Sequence, residues 1–327
     1  MKKYIFNIFL IFLISWAILL LIDYYYESYF ENTQNVEHSD KQFWVINQLR
    51  LDIDFGVIGS SRSDVSIDVR TIEEIINKKG LNIACGGCSF KENYMLLEIF
   101  LRRNKIRDFL IVNIDEYSLN SINSFSNPFH EYYYLKYLED DILGEIITEN
   151  MNERTKIIYR YIPGIKYIFN NNVYSFRNTI LSKFRKKNKF TFTESRGSRL
   201  RFTENNGNIE LPRKKENTII EEDILYLDKL CSLASKNNLK IYFVTAPIYN
   251  DISKFQTNRD SVYSFIEGYT NDKMINIDND YVNRNISYFD NYTHVNSKGA
   301  YLFSENIANY LNSKNTYKKN ENYEYRP

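Results

Sequence analysis

The sequence predicts an α/β protein: a doubly wound parallel sheet, preceded by one membrane-spanning helix. Three observations carry that expectation. From Asp52 onward, short apolar runs alternate with amphipathic stretches, which is the pattern of parallel strands covered by helices. The run from Tyr4 to Ile22 is apolar except for Asn7 and Ser15, long enough at the helical rise to span a hydrocarbon core of ~30 Å. The alternation then fails between Tyr117 and Asn217, which sets that stretch apart as an insertion.

Lys2 and Lys3 precede the apolar run, while Asp23, Glu27, Glu31, Glu37 and Asp40 follow it, so the positive-inside rule puts everything after residue 23 outside. Tyr24, Tyr25 and Tyr26 fall where an aromatic belt would sit. The small residues Ser15 and Ala17 lie inside the run and no Cys follows it closely, which favours an uncleaved anchor over a cleaved leader or a lipoprotein signal. Residues 24–51 read as an acidic stalk with a helical stretch at Phe43 to Leu51. Strands are expected at Phe55 to Ile58, Leu81 to Ala84, Phe109 to Ile114, Leu239 to Val244 and Met274 to Ile277. Helices are expected at Thr71 to Lys79 (stopped by Gly80), Phe90 to Arg103, Ile219 to Lys236, Val262 to Tyr269 and Ser297 to Leu311. Within the insertion at 117–217, Glu131 to Glu149 and Arg154 to Phe169 carry helical patterns. A loop of that length reads as a lid or substrate platform. Its basic clusters, Lys183 to Lys187 and Arg213 to Lys215, would face anionic head groups or an acidic glycan if they are not simply solvated. Residues 314–327 read as a polar, disordered tail, which leaves 52–313 as the catalytic domain.

With 327 residues, 43% hydrophobic and 25% charged, the chain has the composition of an ordinary globular protein, and its net charge of +1 argues against a nucleic-acid binder. The 28 Tyr either line a sugar-binding cleft or reflect codon bias. Cys85-Gly86-Gly87-Cys88 has redox or metal spacing, but there is no second ligand pair, so no metal is expected and the cysteines read as structural.

The chemistry lies in two distant segments. Gly59-Ser60-Ser61-Arg62-Ser63 directly follows the first strand, and Phe289-Asp290-Asn291-Tyr292-Thr293-His294 precedes the last helix. A serine on a turn ending a buried strand, with a late histidine in acidic company, supplies a nucleophile and its general base. In an open parallel sheet, ligands bind beyond the carboxyl ends of the strands. Ser61, Gly86 and Gly87, Asp115, and the Asp290 to His294 loop would all converge on that edge.

These blocks resemble the SGNH (GDSL-like) hydrolase superfamily, whose first block is strand-Gly-x-Ser and whose last is Asp-x-x-His. The layout is most similar to the membrane-anchored branch that includes D-alanyl-lipoteichoic acid transfer and alginate-type O-acetylation proteins. The resemblance covers roughly residues 52–120 and 219–312. It implies a flavodoxin-like α/β/α sandwich with Ser61 as nucleophile and His294 as acid/base, and an oxyanion hole made by the Ser61 amide and that of Gly86 or Gly87. Tight-turn geometry would call for the same glycines.

Two blocks depart from the family. Asn113-Ile114-Asp115-Glu116 puts an acid where a donor Asn is expected, so Asp115 reads as orienting a neighbour or binding a substrate hydroxyl. Asn291 rather than an acid lies three residues before His294; Asp290, Asn291 or a backbone carbonyl could orient the imidazole, and Asp290 is preferred. Arg62 could pair with an acidic substrate group, Ser63 reads as a helix-start residue, and His130 and His38 fall outside the pattern. The resulting expectation is a serine esterase or acyltransferase, outside a bacterial cytoplasmic membrane, adding or removing O-acetyl groups on a surface polysaccharide without any cofactor. A multispanning membrane acyltransferase is the partner the resemblance implies. The alternative is an inactive glycan-binding or assembly subunit of the same fold.

Overall fold

The computed structural model describes residues 2–37, 40–115, 118–120, 133–149, 151–168, 191–203, 215–216, 218–250, 256–257, 259–270, 273–275 and 279–321. The chain divides into two compact units, one made of Met1–Asn47 with His130–Lys189, the other of Gln48–Phe129 with Phe190–Pro327. Residues 24–47 of the expected stalk and 130–189 of the expected insertion thus belong to one unit, while residues 48–51 and the rest of the insertion belong to the unit that holds the sheet.

In the first unit, helix α1 runs from Lys2 to Glu31, past the expected end of the apolar run. It is long and apolar enough to cross a membrane, and Tyr4, Phe6, Ile11 and Leu21 along it are exposed. Near the end of the apolar run and past it, α1 is gripped by residues 164–167. Gly164 (φ +69°) sits so close to the Leu19 carbonyl that a Cβ would come within 2.5 Å of that oxygen. Its N–H donates to Asp23 at 3.0 Å, and Tyr167 donates to Glu27 at 3.0 Å. Tyr26 stacks on Tyr167 at 4.1 Å and is buried, so it does not join Tyr24 in a water-facing belt. The helix Lys41–Ile46 is capped by Asp40 and ends at Asn47, short of the expected Leu51.

The second unit is an α/β unit built on a four-stranded parallel sheet. Strand β1 is Asp52–Ile58, followed by helices α2 (Ser61–Ser66) and α3 (Val69–Ile76), strand β2 (Gly80–Asn82), helix α4 (Phe90–Arg103) and strand β3 (Lys105–Asn113). Then come α5 (Glu221–Lys236), β4 (Lys240–Val244), α6 (Arg259–Thr270), the short strands β5 (Phe289–Asn291) and β6 (His294–Val295), and α7 (Ser297–Glu321). The strand order is β2-β1-β3-β4, with all pairs parallel and in register at Val57↔Asn82, Ile58↔Val112 and Asn113↔Val244. Met274 makes an isolated parallel bridge to Phe243, where a fifth strand was expected.

Strand periodicity explains the packing. Phe55, Val57, Phe109 and Ile111 point to one face, where they form a buried cluster with Ile72 of α3 and Phe303, Ile307 and Leu311 of α7. Gly80 opens β2 rather than ending α3, because Asn77 (φ 52°) already terminates that helix in the left-handed conformation. Gly80 is a glycine because a Cβ there would lie 2.2 Å from the Phe55 ring. Helix α7 runs through Glu321, well beyond the expected stop at Leu311 and into the expected tail. Since the strands are parallel, their carboxyl ends share one edge, and the turns leaving β1, β2 and β3 meet there.

Candidate active site

The turn after β1 is shaped by two residues. Gly59 has φ +147°, and a Cβ on it would fall 2.1 Å from Ser63 Oγ, so only glycine can make the bend. Ser60, rather than Ser63, caps α2, accepting from the Arg62 N–H. Ser63 is fully buried beneath the turn and donates to the Ile58 carbonyl at 3.3 Å. Ser61 thereby becomes the first residue of α2, with its side chain beside the His294 loop.

His294 Nε2 lies 2.8 Å from Ser61 Oγ, although the two residues are far apart in sequence. The loop that delivers it is a tight β5–β6 connection organised by one side chain. Asn291 Oδ1 accepts from the backbone N–H groups of Thr293 and His294, each at 3.0 Å, and this fixes which end of the amide faces the loop. The same oxygen is 3.0 Å from His294 Nδ1. Because Oδ1 can only accept, Nδ1 carries the proton and Nε2 presents its lone pair to the Ser61 hydroxyl. Thr293 Oγ1 also lies 3.0 Å from Nδ1 while donating to Asn291 Oδ1.

The preferred orienter, Asp290, is therefore replaced by Asn291. Adjacent residues in a strand point to opposite sides, and Asp290 forms an ion pair with Arg201 instead. Burial pushes the Asp290 carboxyl up, but hydrogen bonds from Thr203 and Arg201 outweigh it and hold the group below the usual carboxylate range. With no carboxylate on Nδ1, burial, reinforced by the Arg201 and Arg62 charges, depresses His294 to about 4. The imidazole is neutral near pH 7 and ready to accept a proton.

Gly86 and Gly87 lie within a hydrogen-bonded turn closed by a Cys85–Cys88 disulfide, so these cysteines are structural in a specific way. Gly87 has φ +79°, which the turn requires. Gly86 is the glycine beside Ser61: a Cβ on it would sit 3.9 Å from Ser61 Cβ.

Asp115 and Arg62 are not open to substrate. Both are buried and form an ion pair at 2.9 Å. Asp115 also accepts from the Asn113 amide at 2.6 Å and from the Ser118 N–H and hydroxyl at 3.0 and 3.1 Å. Arg62 donates to the Ala246 and Pro247 carbonyls. Burial leaves no room for the expected contacts with a substrate hydroxyl at Asp115 or an acidic substrate group at Arg62. Asn113 is locked as well, its carbonyl accepting from Ala246 N–H at 2.8 Å.

Sequence reasoning missed the residues 196–203, which lay in the unmatched middle of the chain. Arg199 N–H donates to the Asp64 carbonyl at 2.8 Å, Ser297 N–H donates to the Arg201 carbonyl at 2.7 Å, and Leu200 packs against Phe289 and Val295. Asp64, three residues after Ser61 on the same helix, was also missed; it is fully buried and pairs with Arg199 Nε at 2.6 Å. His130, His38, the 183–187 cluster, and Arg213 and Lys214 lie outside the described residues. Among the described residues, no group of three or more His, Cys, Asp or Glu side chains is arranged to hold a metal ion.

No family model and no curated protein matches this chain.

Proposed function

We propose that this chain is a serine esterase or acyltransferase of SGNH type. One observation carries the reading: Ser61 Oγ is 2.8 Å from His294 Nε2, and Nδ1 is held in the protonated tautomer by Asn291. In that arrangement Nε2 takes the Ser61 proton as Oγ bonds to an ester carbonyl carbon. The tetrahedral intermediate collapses, the ester C–O bond breaks, and the imidazolium returns its proton to the departing alkoxide. A water or a sugar hydroxyl then attacks the acyl-serine, giving its proton to Nε2, and Ser61 leaves with that proton restored. The backbone N–H groups of Ser61 and Gly86 are the proposed oxyanion donors. Ser61 is in the first turn of α2, where amides have no intrahelical acceptor.

The rest of the reading is proposed alongside. The sheet order fits a flavodoxin-like doubly wound fold in which the Met274 bridge marks the fifth strand. The α1 helix supports a single-pass anchor in a bacterial cytoplasmic membrane, with Lys2 and Lys3 inside and the catalytic unit outside. The substrate is an O-acylated surface polysaccharide, and the partner is a multispanning membrane acyltransferase that delivers the acyl group. A second reading, a glycan-binding subunit without activity, is favoured by one observation, the absence of a carboxylate on Nδ1.

The test is hydrolysis of para-nitrophenyl acetate by wild type, Ser61→Ala, His294→Ala and the double variant. Residues acting as one unit lose activity non-additively, so all three variants are expected to fall to a similar low rate. Wild-type protein with no turnover, or a Ser61→Ala variant as active as wild type, would leave the binding role.

A further inference from the structure

Negative charge developing on the substrate carbonyl oxygen needs donors beside Ser61. Among the described residues, the carboxyl end of β3 offers Asp115, an acceptor sealed against Arg62 and Ser118, and Asn113, whose side-chain amide donates to Asp115. The space above Gly86 is filled differently. The point where a Gly86 Cβ would start is 2.7 Å from Arg199 Nη2 and 3.9 Å from Ser61 Cβ. The Arg199 guanidinium therefore borders the room that a side chain at 86 would take, and Ser61 borders the same room.

The guanidinium is held from behind. Asp64 grips Arg199 twice, with its carboxylate on Nε at 2.6 Å and its backbone carbonyl on the Arg199 N–H at 2.8 Å. Asp64 is fully buried and shares the short helix α2 with Ser61, so nucleophile and guanidinium are referenced to one rigid element. The Arg199 side chain remains 39% exposed, whereas Asp64 behind it is fully buried.

We propose that Arg199 is the side-chain oxyanion donor of this site, completing a hole whose other donors are the Ser61 and Gly86 amides. The inference rests on the serine-hydrolase reading above. Arg199 stays protonated throughout and donates hydrogen bonds to the carbonyl oxygen as it becomes an alkoxide. Asp64 is a positioning residue that acts through Arg199.

Steady-state kinetics on para-nitrophenyl acetate test this, because that ester is neutral and gives an anion-recognising arginine nothing to bind. Arg199→Ala is expected to lower kcat about a hundredfold, the scale for loss of one oxyanion donor, with KM nearly unchanged. Arg199→Lys is expected to lose less, and millimolar guanidinium chloride to restore part of the Arg199→Ala rate. Melting temperatures are read in parallel, and Arg199→Met, which keeps the stem, takes the place of Arg199→Ala if that variant does not fold. An active wild type whose Arg199 variant keeps its kcat, or loses only in KM, overturns this inference alone. A wild type that never turns over the ester overturns the serine-hydrolase reading and this inference together.

Discussion

Asn291 decides what kind of base His294 is. Its amide oxygen sets the ring orientation and the tautomer, but unlike a carboxylate it brings no charge to stabilise the imidazolium. A neutral imidazole is required for attack, so kcat/KM is expected to rise through about pH 4, the depressed value for His294, and stay level to neutrality. An ascending limb near 6.5 in a pH-rate profile would contradict that environment. Asn291→Asp places a charge on Nδ1 and is expected to move the limb upward by about one unit or more. The same depression couples to folding. The unfolded chain takes up the His294 proton near 6.5, before the folded one, so stability falls as pH drops from about 6.5 towards 4. Urea midpoints at the two ends of that window should differ more for wild type than for His294→Gln. At the other end of the dyad, Gly59→Ala forces a Cβ to within 2.1 Å of Ser63 Oγ at a φ of +147°, and is expected to cost about 2 kcal/mol or more in urea unfolding.

At the scale of elements, the site is assembled by three turns and the segment 196–203. The turn after β1 and the β5–β6 loop were legible in the sequence because glycine, serine and histidine are chemically distinctive at those positions. The choice between Asp290 and Asn291 was not legible: a one-residue shift in a strand reverses the side-chain direction, and only the Arg201 partner shows which way Asp290 turns. Asp290→Asn is therefore expected to reduce activity much less than Asn291→Ala, measured as kcat on the same ester. The Cys85–Cys88 pair read as structural once no second ligand pair was found, but its spacing alone did not show that it closes the turn carrying Gly86. Its disulfide closes a short loop, worth about 2 kcal/mol by chain entropy, and that loop carries Gly86 beside Ser61. Reduction, or Cys85→Ser with Cys88→Ser, is expected to depress kcat while leaving the protein folded. Unchanged kcat on full reduction would separate the disulfide from catalysis.

For the molecule as a whole, the alternation of apolar strands and amphipathic helices identified the sheet because burial on both faces of parallel strands leaves a strong signal, as at Phe109 to Val112. The long apolar N-terminal helix was equally plain. The 117–217 stretch was opaque for the opposite reason. Residues such as Arg199 act through single long-range contacts, to Asp64 and towards Gly86, that leave no periodicity in a single chain. The proposed topology predicts that a reporter active only outside the membrane, fused after residue 50, is active, whereas an active cytoplasm-only reporter there would contradict it. The central claim is that the Ser61 hydroxyl is activated by His294, and covalent labelling tests it most directly. Treated with an organophosphonate probe at neutral pH and examined by mass spectrometry, wild-type protein is expected to carry one adduct at Ser61, and His294→Ala almost none. Wild-type protein that stays unlabelled, or labelling at Ser61 that persists undiminished without His294, would contradict the account.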